Sequence, residues 1–334
     1  MTERFAWVDG GPSRDSWVAE ILVEENSPKI YLKNFHEPNR TRLIPHGFQY
    51  FCPTSVDEVV ALLEKYGSDA KILAGGMSLI PAMKLRLASP SYIVDINRIE
   101  DLGYIKESGG KLLIGALTRH HDIETSDLVR QKVSLLFETA GWIGDPQVRN
   151  MGTIGGSLSH CDPSGDWGAA VLALRGDLKV VGPAEERLIK IDDFLVDTFT
   201  AALEPDELLT EISVPIPPAG SGGAYTKLER KAGDFATAAV AAQISLDANG
   251  VCTYAGIGLT ALGLKNLRAE NAERTLLGRQ LTKETIEEAA SAASEDAQPT
   301  LDPLRGSAVF KKEMARVYTR RALELSLSRA KGCN

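Results

Sequence analysis

The chain has 334 residues, of which 43% are apolar and 25% charged, and its formal net charge is −8 at neutral pH. This length favours two domains, and the composition is that of a globular protein with ample material for a buried core. The acidic balance argues against nucleic acid as a partner, because there is no surplus of lysine and arginine to neutralise phosphates. No apolar run approaches the about 18 residues of a membrane-spanning helix, and the first residues lack the apolar core of a signal peptide, so a cytoplasmic protein is predicted.

The first 45 residues predict either a loosely ordered extension or an arm that docks on a partner. Two apolar runs inside this extension, 18–23 and 30–32, could form short strands. Organised structure is expected from residue 46 onward. Ser55 and Glu58 have the spacing of a capping box, which predicts a helix that ends at Gly67.

The next elements alternate between strands and helices. The predicted strands are 71–74, 92–96 and 111–116, and the predicted helical segments are 79–85 and 126–140. Pro163 opens a predicted helix that runs to residue 174, and strands follow at 178–181 and 208–216. The breaker-rich run 217–223 predicts a domain boundary, which divides the chain into an extension (1–45), a first domain (46–220) and a second domain (221–334). In the second domain we predict a hairpin of strands 238–246 and 251–259 and helices at 267–277, 282–294 and 307–330.

Two glycine loops carry the functional signal. The first reads Ala-Gly-Gly-Met-Ser at 74–78, and the second reads Thr-Ile-Gly-Gly-Ser at 153–157. Glycine lets the backbone approach an anion closely, and successive bare N–H groups form an anion-binding concavity. Hydroxyls of Ser78, Thr153 and Ser157 could add donors. The pair of loops therefore predicts a site that grips a diphosphate from both sides.

Other chemistries find less support in the residues. No G-x-G-x-x-G follows a strand and no G-x-x-x-x-G-K-[ST] is present, and the pair Gly256 and Gly258 is better explained as part of a β-core. The four cysteines form no C-x-x-C pair, so an iron–sulfur or zinc site in this chain is not expected, and Cys161 is predicted to be a buried or half-buried thiol near the site. His120 and His121 are adjacent on a predicted helix and point in different directions, which disfavours a metal site. Because no nucleophile motif is visible, a bound cofactor is expected to carry the reaction.

The two loops and their surroundings resemble the FAD-binding medium subunit of the molybdenum hydroxylases, the family of carbon monoxide dehydrogenase and xanthine dehydrogenase. The similar stretches are 71–87, 114–118, 149–157, 162–166, 207–212 and 225–236, in matching order and spacing over about residues 46–330. The resemblance implies an α+β fold: a vanillyl-alcohol-oxidase-type (PCMH-type) FAD-binding domain of two α+β lobes, then a C-terminal α+β domain with an antiparallel sheet and helices.

The resemblance also implies which residues bind FAD. Residues 74–78 and 153–157 would hold the diphosphate, Thr118 and Asp166 would contact the phosphate or ribose region, and Leu209 and Lys227 would lie near the isoalloxazine ring with Asp234 on a loop beside it. Ser157 stands where the family often has asparagine, and the first 45 residues lie outside the family pattern. The full set of cofactor-binding residues that we expect is Lys71, Ala74, Gly75, Gly76, Met77, Ser78, Leu79, Thr118, Thr153, Ile154, Gly155, Gly156, Ser157, Asp166, Leu209 and Lys227.

By the same resemblance the chain is one subunit of a heterotrimer, in a dimer of heterotrimers, and no residue of it is expected to be catalytic or to bind metal. A large subunit would hold molybdopterin, a small subunit would hold two [2Fe-2S] clusters, and this chain would pass electrons from a cluster through FAD to NAD or a quinone. Two alternatives stay open: a self-contained FAD-dependent oxidoreductase of the same fold that acts directly on a small molecule, and a nonredox nucleotide-binding or scaffold protein. The first should show an acid–base residue over the flavin, and the second should purify without colour.

Overall fold

The computed structural model describes residues 44–332 with their side chains and, before residue 44, the backbone of three strands at 2–7, 17–24 and 27–33. Helices and strands are mixed along the described chain, which confirms the α+β class. None of the helices in this described part combines the length and the apolar character needed to cross a bilayer.

The chain divides into two compact units. The first comprises Met1–Glu100, Val181–Glu185 and Glu204–Leu208, and the second comprises Asp101–Val180, Glu186–Leu203 and Leu209–Asn334. The domain boundaries expected after residues 45 and 220 stay predictions.

The first unit is built on a six-stranded sheet. Its elements in chain order are β1 (Thr2–Trp7), β2 (Trp17–Glu24), β3 (Ser27–Lys33), β4 (Phe48–Phe51), α1 (Val56–Tyr66), β5 (Ala70–Leu73), α2 (Leu79–Lys84) and β6 (Tyr92–Asp95). The strand order is β1-β2-β3-β4-β6-β5, antiparallel from β1 to β4 and parallel among β4, β6 and β5. Parallel strands end at the same edge of a sheet, so the end of β6 and the loop after β5 are neighbours at that edge.

Helix α1 begins as the sequence predicts, with one difference in its cap. The Ser55 hydroxyl accepts a hydrogen bond from the Glu58 N–H, but the Glu58 carboxylate accepts from the N–H of Thr54 at 2.7 Å rather than from Ser55. Three apolar residues of the predicted helical face are buried, namely Val59, Val60 and Leu63. The helix ends at Gly67, which has φ 52°.

The second unit begins with a five-stranded sheet and a group of short helices. These elements are β7 (Ile105–Ser108), β8 (Lys111–Gly115), α3 (His120–Thr125), α4 (Asp127–Lys132), α5 (Ser134–Trp142), α6 (Pro146–Met151), α7 (Ile154–His160), α8 (Asp166–Ala173), β9 (Asp177–Val181), β10 (Glu186–Lys190), α9 (Ile191–Phe194), β11 (Leu195–Asp197), β12 (Thr200–Ala201) and β13 (Leu208–Pro215). The sheet order is β10-β9-β13-β8-β7, with Ile212 opposite Ile114. Strand β8 alternates, so Leu112 and Ile114 point into the core and are fully buried.

An antiparallel sheet and three helices complete the second unit. They are β14 (Ser221–Leu228), β15 (Ala238–Leu246), β16 (Cys252–Thr260), β17 (Leu267–Arg268), α10 (Glu270–Leu276), α11 (Lys283–Asp296) and α12 (Ala308–Ala330). Strand β15 is buried on both faces, because Ala239 and Ala241 join the core around α8 while Val240 and Ala242 join the core around α12. A sheet covered on both faces explains why β15 is apolar at nearly every position.

Helix α8 lies unusually close to β16. A Cβ added at Gly256 would be 1.9 Å from the Ala173 carbonyl oxygen, and one added at Gly258 would be 2.0 Å from that of Ala169. These two glycines therefore allow a helix to pack against a strand, in agreement with their interpretation as β-core.

Three predicted helices differ from the structure. The run 126–140 is two helices, because buried Val133 leaves the helical conformation between them, with φ −143° and ψ 68°. The helix expected from Pro163 begins at Asp166, since the Pro163 carbonyl accepts the N–H of Ala261 at 2.8 Å. Residues 267–268 pair with β16 instead of opening a helix. In the last two cases a contact distant in sequence decides the local conformation.

Candidate functional site

The first glycine loop turns the chain between β5 and α2 in the first unit. Gly76 has φ 73°, a conformation that favours glycine, and its carbonyl accepts the N–H of Ile80 at 3.0 Å. A Cβ at Gly76 would be 2.7 Å from Cδ1 of Ile80. The backbone conformation at this position therefore favours glycine, and an added Cβ would also require the end of the Ile80 side chain to move.

This loop presents a row of free donors. Within the described chain, the N–H groups of residues 75–78 make no hydrogen bond. Gly75 is buried, whereas Met77 and Ser78 are exposed at the surface. Of the other expected binding residues in this unit, Lys71 is exposed on β5 and Leu79 is half-buried at the start of α2. Four successive unpaired N–H groups fit the diphosphate of FAD, which needs donors without bulky side chains.

The second glycine loop is the first turn of α7, in the second unit, and its N–H groups already have partners. Ile154 donates to the Thr118 carbonyl at 3.1 Å, and Gly155 donates to the Ala116 carbonyl at 3.0 Å. Gly156 donates to Oγ1 of Thr153 at 3.1 Å, and Ser157 donates to the carbonyl of the same residue at 3.0 Å. The prediction of bare N–H groups is therefore wrong for this loop. Its N–H groups donate to the helix-capping residue Thr153 and to two backbone carbonyls that follow strand β8.

Gly155 serves packing rather than a left-handed turn. A Cβ at this position would lie 2.5 Å from Cβ of Ala116 and 2.7 Å from its carbonyl oxygen. Thr118, another expected binding residue, contacts this loop, because its carbonyl accepts the N–H of Ile154. Its hydroxyl donates to the Tyr104 carbonyl at 2.9 Å. The structure thus brings Thr118 and the second loop together, and Ser157 of that loop is half-buried.

A buried ion pair joins two further expected residues. Nζ of Lys227 on β14 lies 3.0 Å from a carboxylate oxygen of Asp166 at the start of α8, and also donates to the Trp142 carbonyl at 3.1 Å. The hydroxyl of Tyr225 donates to the other carboxylate oxygen of Asp166 at 2.6 Å. The Lys227 side chain is only 1% exposed. The structure therefore joins two side chains that the resemblance assigns to different parts of the cofactor.

The protonation of this group follows from burial and charge. Burial raises the pKa of Asp166, while the Lys227 ammonium and the Tyr225 hydroxyl oppose that rise. Burial, and then the charge of Asp166, raise the pKa of Tyr225, which keeps its hydroxyl protonated as a donor.

Two other expected residues lie elsewhere in the second unit. Leu209 is buried on β13, and Asp234 forms an ion pair with Arg230 at 2.8 Å.

Sequence reasoning missed two buried residues, His120 and Trp167, next to the start of the second loop. Nε1 of Trp167 donates to Nδ1 of buried His120 at 3.1 Å, and the His120 N–H donates to the Gly152 carbonyl at 3.0 Å. Burial, followed by the charges of Arg119 and Arg149, lowers the pKa of His120 to about 3. His120 is therefore neutral and accepts from the indole, while His121 is exposed. In the sequence the two histidines were weighed only as metal ligands, which their adjacency disfavours, so they gave no signal of this support.

The chain matches two family models that follow one another. Residues 46–217 match the FAD binding domain in molybdopterin dehydrogenase, and residues 223–325 match the CO dehydrogenase flavoprotein C-terminal domain. The chain therefore belongs to the family of FAD-binding subunits of the molybdopterin dehydrogenases. This confirms the resemblance, FAD as the cofactor, and an oxidoreductase in which the chain is the medium, FAD-binding subunit.

Within this family the chain is similar to carbon monoxide dehydrogenase medium chains. It is 43% identical over 289 residues to that of Afipia carboxidovorans, which covers 86% of this chain and 100% of the relative. It is 44% identical over 287 residues to that of Hydrogenophaga pseudoflava, with coverage of 86% and 99%. A solved structure of carbon monoxide dehydrogenase from Hydrogenophaga pseudoflava superimposes with a TM-score of 0.83 at 45% identity, over 86% of this chain and 99% of the other.

Proposed function

We propose that this chain carries electrons from a [2Fe-2S] subunit, through FAD, to an external acceptor such as NAD or a quinone. The observation that carries the proposal is the row of unpaired N–H groups at residues 75–78, inside the segment that matches the FAD-binding family model. When bound, FAD supplies chemistry that accepts electrons singly and releases them as a pair. The chain itself supplies donors for the diphosphate and a fixed electrostatic surrounding.

The other expected residues have narrower parts in this proposal. Thr118, Thr153 and Ser157 would add polar contacts to the cofactor, and Leu209 would shield the isoalloxazine ring. Lys227 would favour the reduced, anionic flavin through the charge of its ammonium group. Its Nζ atom is held in place by Asp166 and by a backbone carbonyl. Which part of FAD each of these residues meets stays a prediction.

The partners belong to the proposal as well. We propose a large molybdopterin subunit that oxidises the substrate and a small subunit with two [2Fe-2S] clusters, assembled with this chain as a dimer of heterotrimers in the cytoplasm. The similarity to medium chains of carbon monoxide dehydrogenases supports this arrangement. Since the substrate would bind the large subunit, carbon monoxide, purines, N-heterocycles and aldehydes are all substrates to test.

The test is isolation of the tagged full chain with its bound subunits from native cells, followed by assay of flavin, molybdenum and iron. We expect one FAD per chain, substrate-dependent reduction of that flavin in the complex, and no reduction by substrate once the chain is stripped of its partners. Reoxidation by NAD or by a quinone would then identify the acceptor. Turnover of substrate by the stripped chain would instead favour the self-contained oxidoreductase.

A matched pair of glycine variants tests the binding loop. Gly76→Ala places a Cβ in the first loop at φ 73°, and Gly250→Ala does the same at φ 77° in the turn between β15 and β16, where a Cβ meets nothing within 4 Å. Both variants carry similar backbone strain, about 1 kcal/mol. We expect only Gly76→Ala to lose FAD from the complex. Equal flavin content in the two variants would contradict the assignment of the diphosphate to this loop.

A further inference from the structure

The carbonyl side of the first glycine loop is held by a chain of three polar side chains. Nδ2 of Asn97 donates to the Ala74 carbonyl at 2.8 Å and to Oδ1 of Asp95 at 2.6 Å. The same Asp95 oxygen accepts the Asn97 N–H at 2.9 Å, and its other oxygen accepts the hydroxyl of Tyr50 at 2.5 Å. All of these residues lie in the first unit, at the edge where the parallel strands β4, β5 and β6 end.

The orientation of the Asn97 amide is fixed by its surroundings. Its nitrogen faces the carbonyl oxygens of Ala74 and Leu73 and a carboxylate oxygen of Asp95. An amide turned by half a rotation would set its own oxygen against these three oxygens, with no donor between them. Asn97 therefore acts as a donor toward the loop, and Asp95 and Tyr50 keep it in that position.

Peptide geometry connects this contact to the free donors. In a trans peptide the C=O and the following N–H point in opposite directions. A hydrogen bond that holds the Ala74 carbonyl on one side therefore aims the Gly75 N–H toward the other side. Gly75 is the first of the residues whose N–H groups make no hydrogen bond in the described chain.

We propose that Asn97 is a positioning residue that aims the N–H donors of the first glycine loop at the diphosphate of FAD, with Asp95 and Tyr50 holding its amide. This inference rests on the proposed function of the loop. Asn97 sets the direction of the Gly75 N–H, the first donor of the row, through the Ala74–Gly75 peptide. The cofactor would then meet donors that are already oriented, so less ordering is needed on binding.

Two substitutions at Asn97 separate positioning from general stability. Asn97→Ala removes the donor, and we expect the dissociation constant of FAD to rise about 5-fold at neutral pH, the effect of one lost hydrogen bond. Asn97→Asp places a carboxylate against Asp95 and the Ala74 carbonyl, and we expect a rise of about 10-fold or more.

The pH dependence gives the decisive readout. Two neighbouring carboxyls take up a shared proton only at acidic pH, so as the pH falls from about 7 to about 4 the introduced carboxyl becomes a donor again and Asn97→Asp recovers affinity relative to wild type. Asn97→Ala has no group to protonate and stays weaker by a constant factor. Tyr50 interacts with both Asp95 and Cys52, and burial and Asp95 raise the pKa of Tyr50, so its hydroxyl stays protonated in this range.

The dissociation constant is measured on the isolated complex by flavin fluorescence, with the melting temperature of the flavin-free form as a second readout. Asn249→Asp adds the same charge at an exposed turn and should match wild type at every pH. Wild-type affinity in both Asn97 variants, or a loss in Asn97→Asp that does not recover at low pH, would overturn this inference alone. A wild-type complex without FAD would overturn the proposed function as well.

Discussion

The two glycine loops of this chain have nearly the same sequence pattern and opposite hydrogen bonding. The loop at 75–78 leaves four successive N–H groups without a partner in the described chain, whereas the N–H groups of 154–157 are all used by the protein. A Gly-Gly pair closed by serine therefore does not by itself define an anion site. Such a loop can bind an anion only where its N–H groups are not already donating to acceptors within the protein.

The glycines differ in the same way. Gly76 has a positive φ in the turn after β5, so the backbone conformation there favours glycine. Gly155 has no such conformation and instead lets α7 approach Ala116. The second loop is thus a packed structural element that depends on buried contacts, and the first, in our proposal, is a binding element that depends on free donors. Three experiments separate these two roles.

The largest expected effect comes from breaking the buried contacts of the second unit. Lys227→Met leaves the Asp166 carboxylate buried with only the Tyr225 hydroxyl as a donor, so we expect the free energy of unfolding to fall by about 3–5 kcal/mol in urea titrations. Lys71→Met is the matched control: that lysine is exposed on the strand before the first loop, and its loss should cost less than about 0.5 kcal/mol.

A double variant tests the physical reason. Adding Asp166→Asn to Lys227→Met removes the uncompensated charge, so part of the lost stability should return. A Lys227→Met protein within about 1 kcal/mol of wild type would show that the ion pair is not needed to keep Asp166 buried.

A smaller effect is expected from alanine at the two glycines. Gly155→Ala forces a Cβ against the backbone of Ala116, and we expect a loss of about 2–3 kcal/mol in the unfolding free energy, because helix and strand must separate. Gly76→Ala should cost only about 1 kcal/mol, since the nearest atom is the mobile end of Ile80, while its FAD content falls. Equal losses of stability in the two variants would remove the distinction between a packed loop and a binding loop.

The smallest effect is a pH dependence specific to the second loop. The pKa of His120 is about 3 in the folded chain and about 6.5 when unfolded, so the unfolded state binds the proton and stability is lost as the pH falls below about 6.5. Between about pH 7 and about pH 5 this histidine should account for about 2 kcal/mol of lost unfolding free energy.

The check is urea unfolding at both pH values in His120→Asn, whose side-chain oxygen can still accept from Trp167. This variant should lose about 2 kcal/mol less than wild type over that interval, and His121→Asn, at the exposed neighbour, should behave as wild type. The same slope in all three proteins would show that His120 does not stay neutral behind the loop.

Much of the fold could be predicted because it depends on local signals. Period-two and helical patterns located strands such as β8 and helices such as α1, and the first glycine loop followed from a strand end and a Gly-Gly pair. The partners of the second loop could not be predicted, since Ala116 and Thr118 accept through backbone carbonyls that carry no sequence signature. The Asp166–Lys227 pair joins residues 61 positions apart, which only the folded topology reveals.

That pair has a consequence for attempts to divide the protein. Asp166 lies in the segment that matches the first family model, and Lys227 lies in the segment that matches the second. A fragment that stops at residue 217 would lose both Lys227 and the strand residues Ala239 and Ala241, which share an apolar core with α8, and one that starts at residue 223 would lose the other half of that core. Cutting the polypeptide between these two segments would therefore yield two aggregation-prone fragments rather than two independently folded domains.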